Sequence, residues 1–186
     1  MENEIINDIL NGNPKGFSYF ISEYRNMAYT IAFRIVNNRE DAEEIVQDSF
    51  LRAYRSLHKF RKDSKFSTWF YRIVVNRALS VRAVKKEIPP SDLQNIQDAD
   101  IELTASVYSE LVKQDRQKYI NKALDSLEKE DRLLITLYYL EENSVEEISL
   151  ITGIRQENIK MKLSRARKKM FFVLGKILNE DFKSIL

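Results

Sequence analysis

Ser144–Lys169 reads SVEEISLITGIRQENIKMKLSRARKK, a capped short helix, a glycine turn and a longer basic helix. Ser144 and Glu147 have the S-x-x-E spacing of a capping box, in which each side chain satisfies the other residue's free backbone N–H. Val145, Ile148 and Ile151 give the first helix one apolar stripe. Gly153 then stands where a chain leaving a helix needs positive φ, which costs glycine least. In the second helix Ile159, Leu163, Ala166 and Met170 share a face and should pack on the first. Glu157, Asn158, Met161, Ser164, Arg165 and Lys168 fall on the opposite face. From Arg155 to Lys169, the only acid is Glu157, against Arg155, Lys160, Lys162, Arg165, Arg167, Lys168 and Lys169. Polar side chains near the helix start, with cations behind, suit base edges read first and phosphates held after. A merely solvated cationic face would need neither the cap nor the turn. The segment predicts a helix-turn-helix that binds duplex DNA.

Outward from that stretch, the apolar spacing remains helical. Only four glycines and three prolines punctuate 186 residues, and 44% hydrophobic content is enough for packed cores. We expect an all-α chain of two small helical domains, 1–86 and 115–186, joined by a flexible acidic linker at 87–114. The net charge of +2 is unevenly spread: Glu87 to Val112 holds no Lys or Arg but has Glu87, Asp92, Asp98, Asp100, Glu102 and Glu110, with the Pro89-Pro90 pair. Ile101, Leu103, Val107 and Leu111 could open a helix leading into the second domain. The absence of cysteine excludes disulfides and thiolate metal sites and suits a reducing compartment. The acidic start MENEIINDIL is no export signal, and no apolar run is long enough for a membrane span. The expected location is the cytoplasm, with no membrane insertion.

In the first half, helices are expected at about Glu4–Leu10 and Lys15–Val36, with Phe17, Phe20, Tyr24, Met27 and Ile31 as a core stripe. Asn38 is the expected N-cap of the next helix, Arg39 to about Leu57, with Asp41 at its third position. Val46, Phe50, Ala53 and Leu57 form its buried face, which turns Glu44, Asp48, Leu51 and Arg55 outward. An acidic face carrying a leucine suits a protein partner, although a single exposed leucine is common on surfaces. After a basic loop at Lys59–Lys65, Phe66 to about Lys86 should be one helix, with Phe70, Val74, Ala78 and Val81 inward. Trp69, Arg72, Asn76 and Ser80 lie on its far side. A ring for stacking, cations for a backbone and an amide for a base edge fit single-stranded nucleic acid, while Trp69 taken alone reads as core. His58, the only histidine, has no metal partners.

With these residues in view, the chain resembles the extracytoplasmic-function sigma factors, small bacterial transcription initiation factors of the sigma-70 family. DAEEIVQDSFLRAYRSLHKF and FSTWFYRIVVNRAL resemble the family's region 2. ALDSLEKEDRLLITLYYLEENSVEEISLITGIRQENIKMKLSRARKKM resembles its region 4. The resemblance implies core RNA polymerase as partner. The beta-prime clamp helices would meet Asp41, Glu44, Gln47, Asp48, Leu51 and Arg55, and the beta flap would meet region 4. It implies minus-ten promoter contacts at Arg61, Lys62, Lys65, Trp69, Arg72, Asn76 and Arg77, with Asn76 reading a flipped base. Minus-thirty-five contacts would come from Arg155, Gln156, Asn158, Lys160, Met161, Ser164, Arg165, Arg167 and Lys168, with Arg165 as the direct reader.

The resemblance further implies an anti-sigma factor, often membrane-bound in the family. No enzyme activity, metal, cofactor or small-molecule substrate is expected. Beyond the tail at Phe182–Leu186 no sensing domain is expected. Glu128, where the family usually has proline, is expected to lengthen the helix there, and Arg155 is a poorer N-cap than the family's usual serine. The competing reading is a stand-alone helix-turn-helix regulator binding duplex operator DNA. A hydrolase or nuclease would need convergent carboxylates or histidines, which the sequence lacks.

Overall fold

The computed structural model describes residues 1–87 and 119–185, with side chains placed for 1–84 and 119–177. Apart from Glu87, the expected linker and the expected helix near Ile101–Leu111 lie outside the described residues. The described backbone is helical, without strands: α1 (Glu2–Leu10), α2 (Phe17–Val36), α3 (Arg39–Ser56), α4 (Phe66–Glu87), α5 (119–125), α6 (Lys129–Tyr139), α7 (Val145–Thr152) and α8 (Gln156–Ile185). Short 3-10 turns at Pro14–Gly16 and Leu57–Lys59 set the entry to α2 and the exit from α3.

Local chemistry accounts for these boundaries. α2 stops where Asn37 takes a left-handed conformation, φ 56°, and its N–H donates to the Phe33 carbonyl. Asparagine tolerates that region better than most residues. The next residue, Asn38, is extended, and its side chain accepts from the Asp41 amide at 2.8 Å, as the N-cap reading requires. The expected proline-free lengthening at Glu128 does not occur. The chain leaves helix after 125, Glu128 is extended, and α6 begins only at Lys129. Arg132 explains the break: its Nη2 donates to the Asp125 carbonyl at 2.8 Å, and its Nη1 lies 3.0 Å from the Asp125 carboxylate.

α2, α3 and α4 pack around an aromatic core. Phe20 and Phe66 have centroids 4.1 Å apart, Phe50 stacks on Phe70 at 4.5 Å, and Phe17 meets Phe50 edge-on. Each such fully buried ring contributes about 1.5–3 kcal/mol through burial. Of the expected α2 stripe, Phe17, Phe20 and Ile31 are buried, while Tyr24 and Met27 are only partly so. α6, α7 and α8 form the second pack, with Leu134, Leu137, Ile148, Ile151, Ile159 and Leu163 inside.

The two packs share one continuous apolar core, because α7 lies along α4 and α6 against α2. This closes a second face of α4. Tyr71 and Val75, each 1% exposed, are buried there in addition to the expected Phe70, Val74 and Ala78. Several polar contacts seal the seam. The Tyr71 hydroxyl donates to Glu141 at 2.7 Å, Lys65 Nζ lies 2.9 Å from Glu147, and Arg34 Nη1 lies 3.6 Å from Asp125.

Candidate nucleic-acid interface

The helix-turn-helix is built as its residues dictate. The Glu147 amide donates to Ser144 Oγ at 3.1 Å, and the Ser144 amide donates to Glu147 Oε2 at 2.8 Å, completing the capping box. Gly153 sits at φ 75° and its N–H closes α7 on the Ser149 carbonyl. Ser149 Oγ then donates to the Ile154 carbonyl at 2.7 Å, which pins the turn from outside. With Ile159, Leu163 and Ala166 buried, α8 has one fixed rotation about its axis.

That rotation leaves Arg155, Gln156, Asn158, Lys160, Met161, Arg165, Arg167 and Lys168 exposed, with Ser164 half-buried among them. Met161 is 53% exposed, a large apolar side chain on a face that is otherwise polar and cationic. Lys162 is a basic residue that this face does not present. Its ammonium turns back to Glu130 at 3.2 Å and Asp131 at 3.7 Å on α6. Arg167 reaches toward the Tyr139 hydroxyl at 3.5 Å, so it stands at the edge of the surface.

The second surface lies on α3, α4 and the loop between them. Glu44, Gln47 and Leu51 are exposed along α3, Leu51 by 55%, and Asp41 and Asp48 are half-buried. Asp48 is less free than its position suggested: its Oδ2 lies 3.0 Å from Arg52 Nε and 2.6 Å from Arg77 Nε on α4. Arg55, expected on the same outward stripe as the acids, is exposed and also lines a cleft of about 470 Å³ between α3 and α4, shared with Arg52, Ile73, Asn76, Arg77 and Ser80. The sequence had put Asn76 and Arg55 in different roles, and the fold brings them to one groove.

In the loop, Arg61, Lys62 and Lys65 are exposed. Lys62 has φ 62° and donates to Asn7 Oδ1 at 2.8 Å, which ties the loop to α1. Trp69 is half-buried, its ring 5.2 Å from Phe60 and 5.6 Å from Phe66, so it is a wall of the core with one side outside. Arg72 and Asn76 are exposed one turn apart, and the Ser80 hydroxyl donates to the Asn76 carbonyl at 2.9 Å.

Lys65 is the one loop cation drawn across the seam. Burial pushes the Glu147 carboxyl up, but its hydrogen bond from the Ser144 amide and the nearby Lys65 ammonium outweigh that and hold it below the ordinary carboxylate range. Sequence reasoning missed Tyr71, Val75, Glu141 and Lys162. The clue for the first two was present: Phe66 to Ala78 is apolar around most of the helix, a pattern that requires burial on more than one side.

Among the described residues no three His, Asp or Glu side chains are placed to hold a metal ion, and no helix is long and apolar enough to cross a membrane.

Comparison with known proteins follows the same division of the chain. Residues 20–87 match the family described as Sigma-70 region 2, and residues 117–170 match Sigma-70, region 4. The ECF RNA polymerase sigma-E factor of Haemophilus influenzae is 28% identical over 171 residues, 88% of this chain and 90% of that protein. The sigma factor RpoE of Bartonella quintana, solved with the anti-sigma factor NepR, is 25% identical, with a TM-score of 0.66 over 87% of this chain and 98% of that one. CnrH, solved with the cytosolic domain of CnrY, has the same fold at 19% identity, with a TM-score of 0.62 over 95% and 96% of the two chains.

Proposed function

The chain belongs to the sigma-70 family, in its extracytoplasmic-function group, and from that premise we propose that it directs core RNA polymerase to a specific set of promoters under the control of an anti-sigma factor. The observation that carries this is the pairing of two different nucleic-acid surfaces on one chain. A helix-turn-helix presents Arg165 and Asn158 for duplex DNA, and a separate groove presents Asn76 beside the cations Arg52, Arg55 and Arg77. A stand-alone duplex-binding regulator needs only the first.

Each surface has its own task in this reading. Region 4 anchors on the minus-thirty-five duplex through the exposed face of α8. Arg165 supplies a guanidinium able to fork onto a guanine edge, and Lys160, Arg167 and Lys168 supply phosphate contacts. Region 2 captures the opened minus-ten strand. Asn76 offers an amide to a flipped base, Trp69 offers a partly open ring, and Arg61, Lys62, Lys65 and Arg72 surround the site with positive charge. The outward face of α3, with Glu44, Gln47 and Leu51 exposed and Asp41 and Asp48 half-buried, suits docking on the beta-prime clamp helices, and region 4 suits the beta flap. The chain supplies binding energy and positioning, and the polymerase supplies the chemistry.

The structure of the relative RpoE bound to the anti-sigma factor NepR supports a regulator of that kind here. The deciding experiment is run-off transcription from genomic promoter fragments with purified core polymerase. Transcripts starting at a defined position only when the chain is added are expected. No association with core polymerase by native gel shift would remove the proposal and leave the operator-binding regulator.

A further inference from the structure

The outward stripe of α3 changes sign along its length. Asp41, Glu44 and Asp48 occupy the first part, Arg52 and Arg55 the second, and only the second borders the cleft that ends at Asn76. Three guanidiniums, from Arg52, Arg55 and Arg77, stand around this cleft against the single carboxylate of Asp48. Asp48 Oδ2 accepts a hydrogen bond from Arg52 Nε and forms an ion pair with Arg77 at its Nε. A guanidinium has five N–H donors, so the terminal Nη groups of both remain able to fork onto an oxyanion. Asp48 thereby orients two arginines without consuming them, while Arg55 forms no ion pair with any described residue. Ile73 adds an apolar strip and Ser80 a hydroxyl, a lining that fits a sugar between two phosphates.

Resting on the reading of Asn76 given above, we propose that the α3–α4 cleft is a phosphate-backbone site for the single strand whose base Asn76 receives. Arg52 and Arg55 are its contacts, and Asp48 is the positioning residue that aims Arg52 and Arg77. Arg55 then acts on nucleic acid, and the polymerase-facing surface of α3 ends near Leu51. Two requirements of single-strand binding meet here: cations that follow a backbone and a base reader at the end of the track.

The test uses the full chain assembled with core polymerase and a promoter fragment whose minus-ten segment is pre-melted, titrated across a series of KCl concentrations. Arg52→Ala and Arg55→Ala should each weaken binding about three- to tenfold and flatten the log–log salt dependence by about 0.7 per lost phosphate contact. Arg55→Lys should restore much of the slope, since it keeps the charge. Affinity for core polymerase should stay within about twofold for both alanine variants, whose side chains are exposed. Weakened polymerase association with unchanged DNA binding would overturn the proposal and return Arg55 to the docking face, and no change in either would overturn it too. If the unaltered chain does not bind polymerase, the family-level reading fails by itself. The cleft is then judged on the free chain with a labelled single strand, where an unchanged affinity in the double alanine variant overturns it.

Discussion

The Tyr71 hydroxyl, on α4, donates at 2.7 Å to the Glu141 carboxylate just beyond α6, joining residues seventy apart in the chain. The phenol ring is buried and the carboxylate half-buried, so the bond is shielded from water on one side only. Removing the donor while keeping the ring leaves a carboxylate without its partner, which costs more than a neutral hydrogen bond is worth. Tyr71→Phe should lower stability by about 1–2 kcal/mol. By differential scanning calorimetry that is a fall in Tm of about 2–8 °C for a chain of this size. In a double-mutant cycle with Glu141→Gln, a coupling near zero would show that the bond adds nothing to the seam.

The same carboxylate makes the seam respond to acid. Burial raises the Glu141 pKa above its ordinary 4.5, the Tyr71 hydrogen bond opposes this, and Glu23 adds to it. A raised folded-state value contributes stability that is complete below the ordinary pKa and is lost as pH climbs through the raised one. Glu147, held low, does the reverse: its contribution is present above the ordinary value and disappears as pH falls through the lowered one. Relative to the unaltered chain, Glu141→Gln should therefore flatten the rise in Tm between pH 7 and pH 5. Glu147→Gln should flatten the drop at more acid pH. Parallel Tm curves for all three proteins would contradict this assignment.

The helix-turn-helix is held by two inexpensive devices, one at each end of α7, that can be removed separately. Ser144→Ala deletes the acceptor for the Glu147 amide and should cost about 1 kcal/mol. Gly153→Ala meets no steric neighbour but forces a side chain into φ 75°, so it should cost about 1 kcal/mol through backbone strain alone. Urea unfolding should show lower midpoints with unchanged m values.

Arg165 and Lys162 offer a paired test on the recognition helix. Arg165 is exposed, whereas Lys162 is committed to Glu130 and Asp131. Arg165→Ala should lose about 1–3 kcal/mol of discrimination at one upstream base pair. Lys162→Ala should leave both specificity and salt slope nearly unchanged while loosening α8 from α6. Equal effects on promoter binding would mean that Lys162 releases its acids and joins the DNA surface.

Asn76 separates docking from opening. Asn76→Ala should reduce the yield of opened promoter, read by permanganate footprinting, and a pre-melted template should recover little of the loss. Affinity for polymerase should be unaltered. Normal footprints would assign the base reading to another side chain.

The helical boundaries and each module's inner face were legible because they depend on neighbours within a turn or two. The Asn38 and Ser144 caps, the Gly153 stop and the Ile159–Leu163–Ala166 stripe needed nothing distant. Contacts between elements far apart in the sequence were not legible. Tyr71 and Val75 could be assigned an inside only once α7 was known to lie on α4, and Lys162 counted as a free cation until α6 supplied two acids. Glu128 shows the limit from the other side. Proline is one way to end a helix at that point, and Arg132 reaching back to the Asp125 carbonyl is another that no local rule predicts.

The shared interior of the two modules also sets a geometric condition on promoter engagement. Elements centred ten and thirty-five base pairs upstream are about 85 Å apart along straight duplex. Glu87 and Tyr119 can be drawn apart by at most about 110 Å, so the tether permits simultaneous reach, but adjacent modules cannot reach both elements. Under the proposed function the closed arrangement would act as a latch, lowering the polymerase's apparent affinity by whatever fraction of molecules is latched. A substitution at Tyr71 or Glu141 would then weaken the fold and yet make the factor easier to recruit, although neither residue is among those proposed to meet promoter or enzyme.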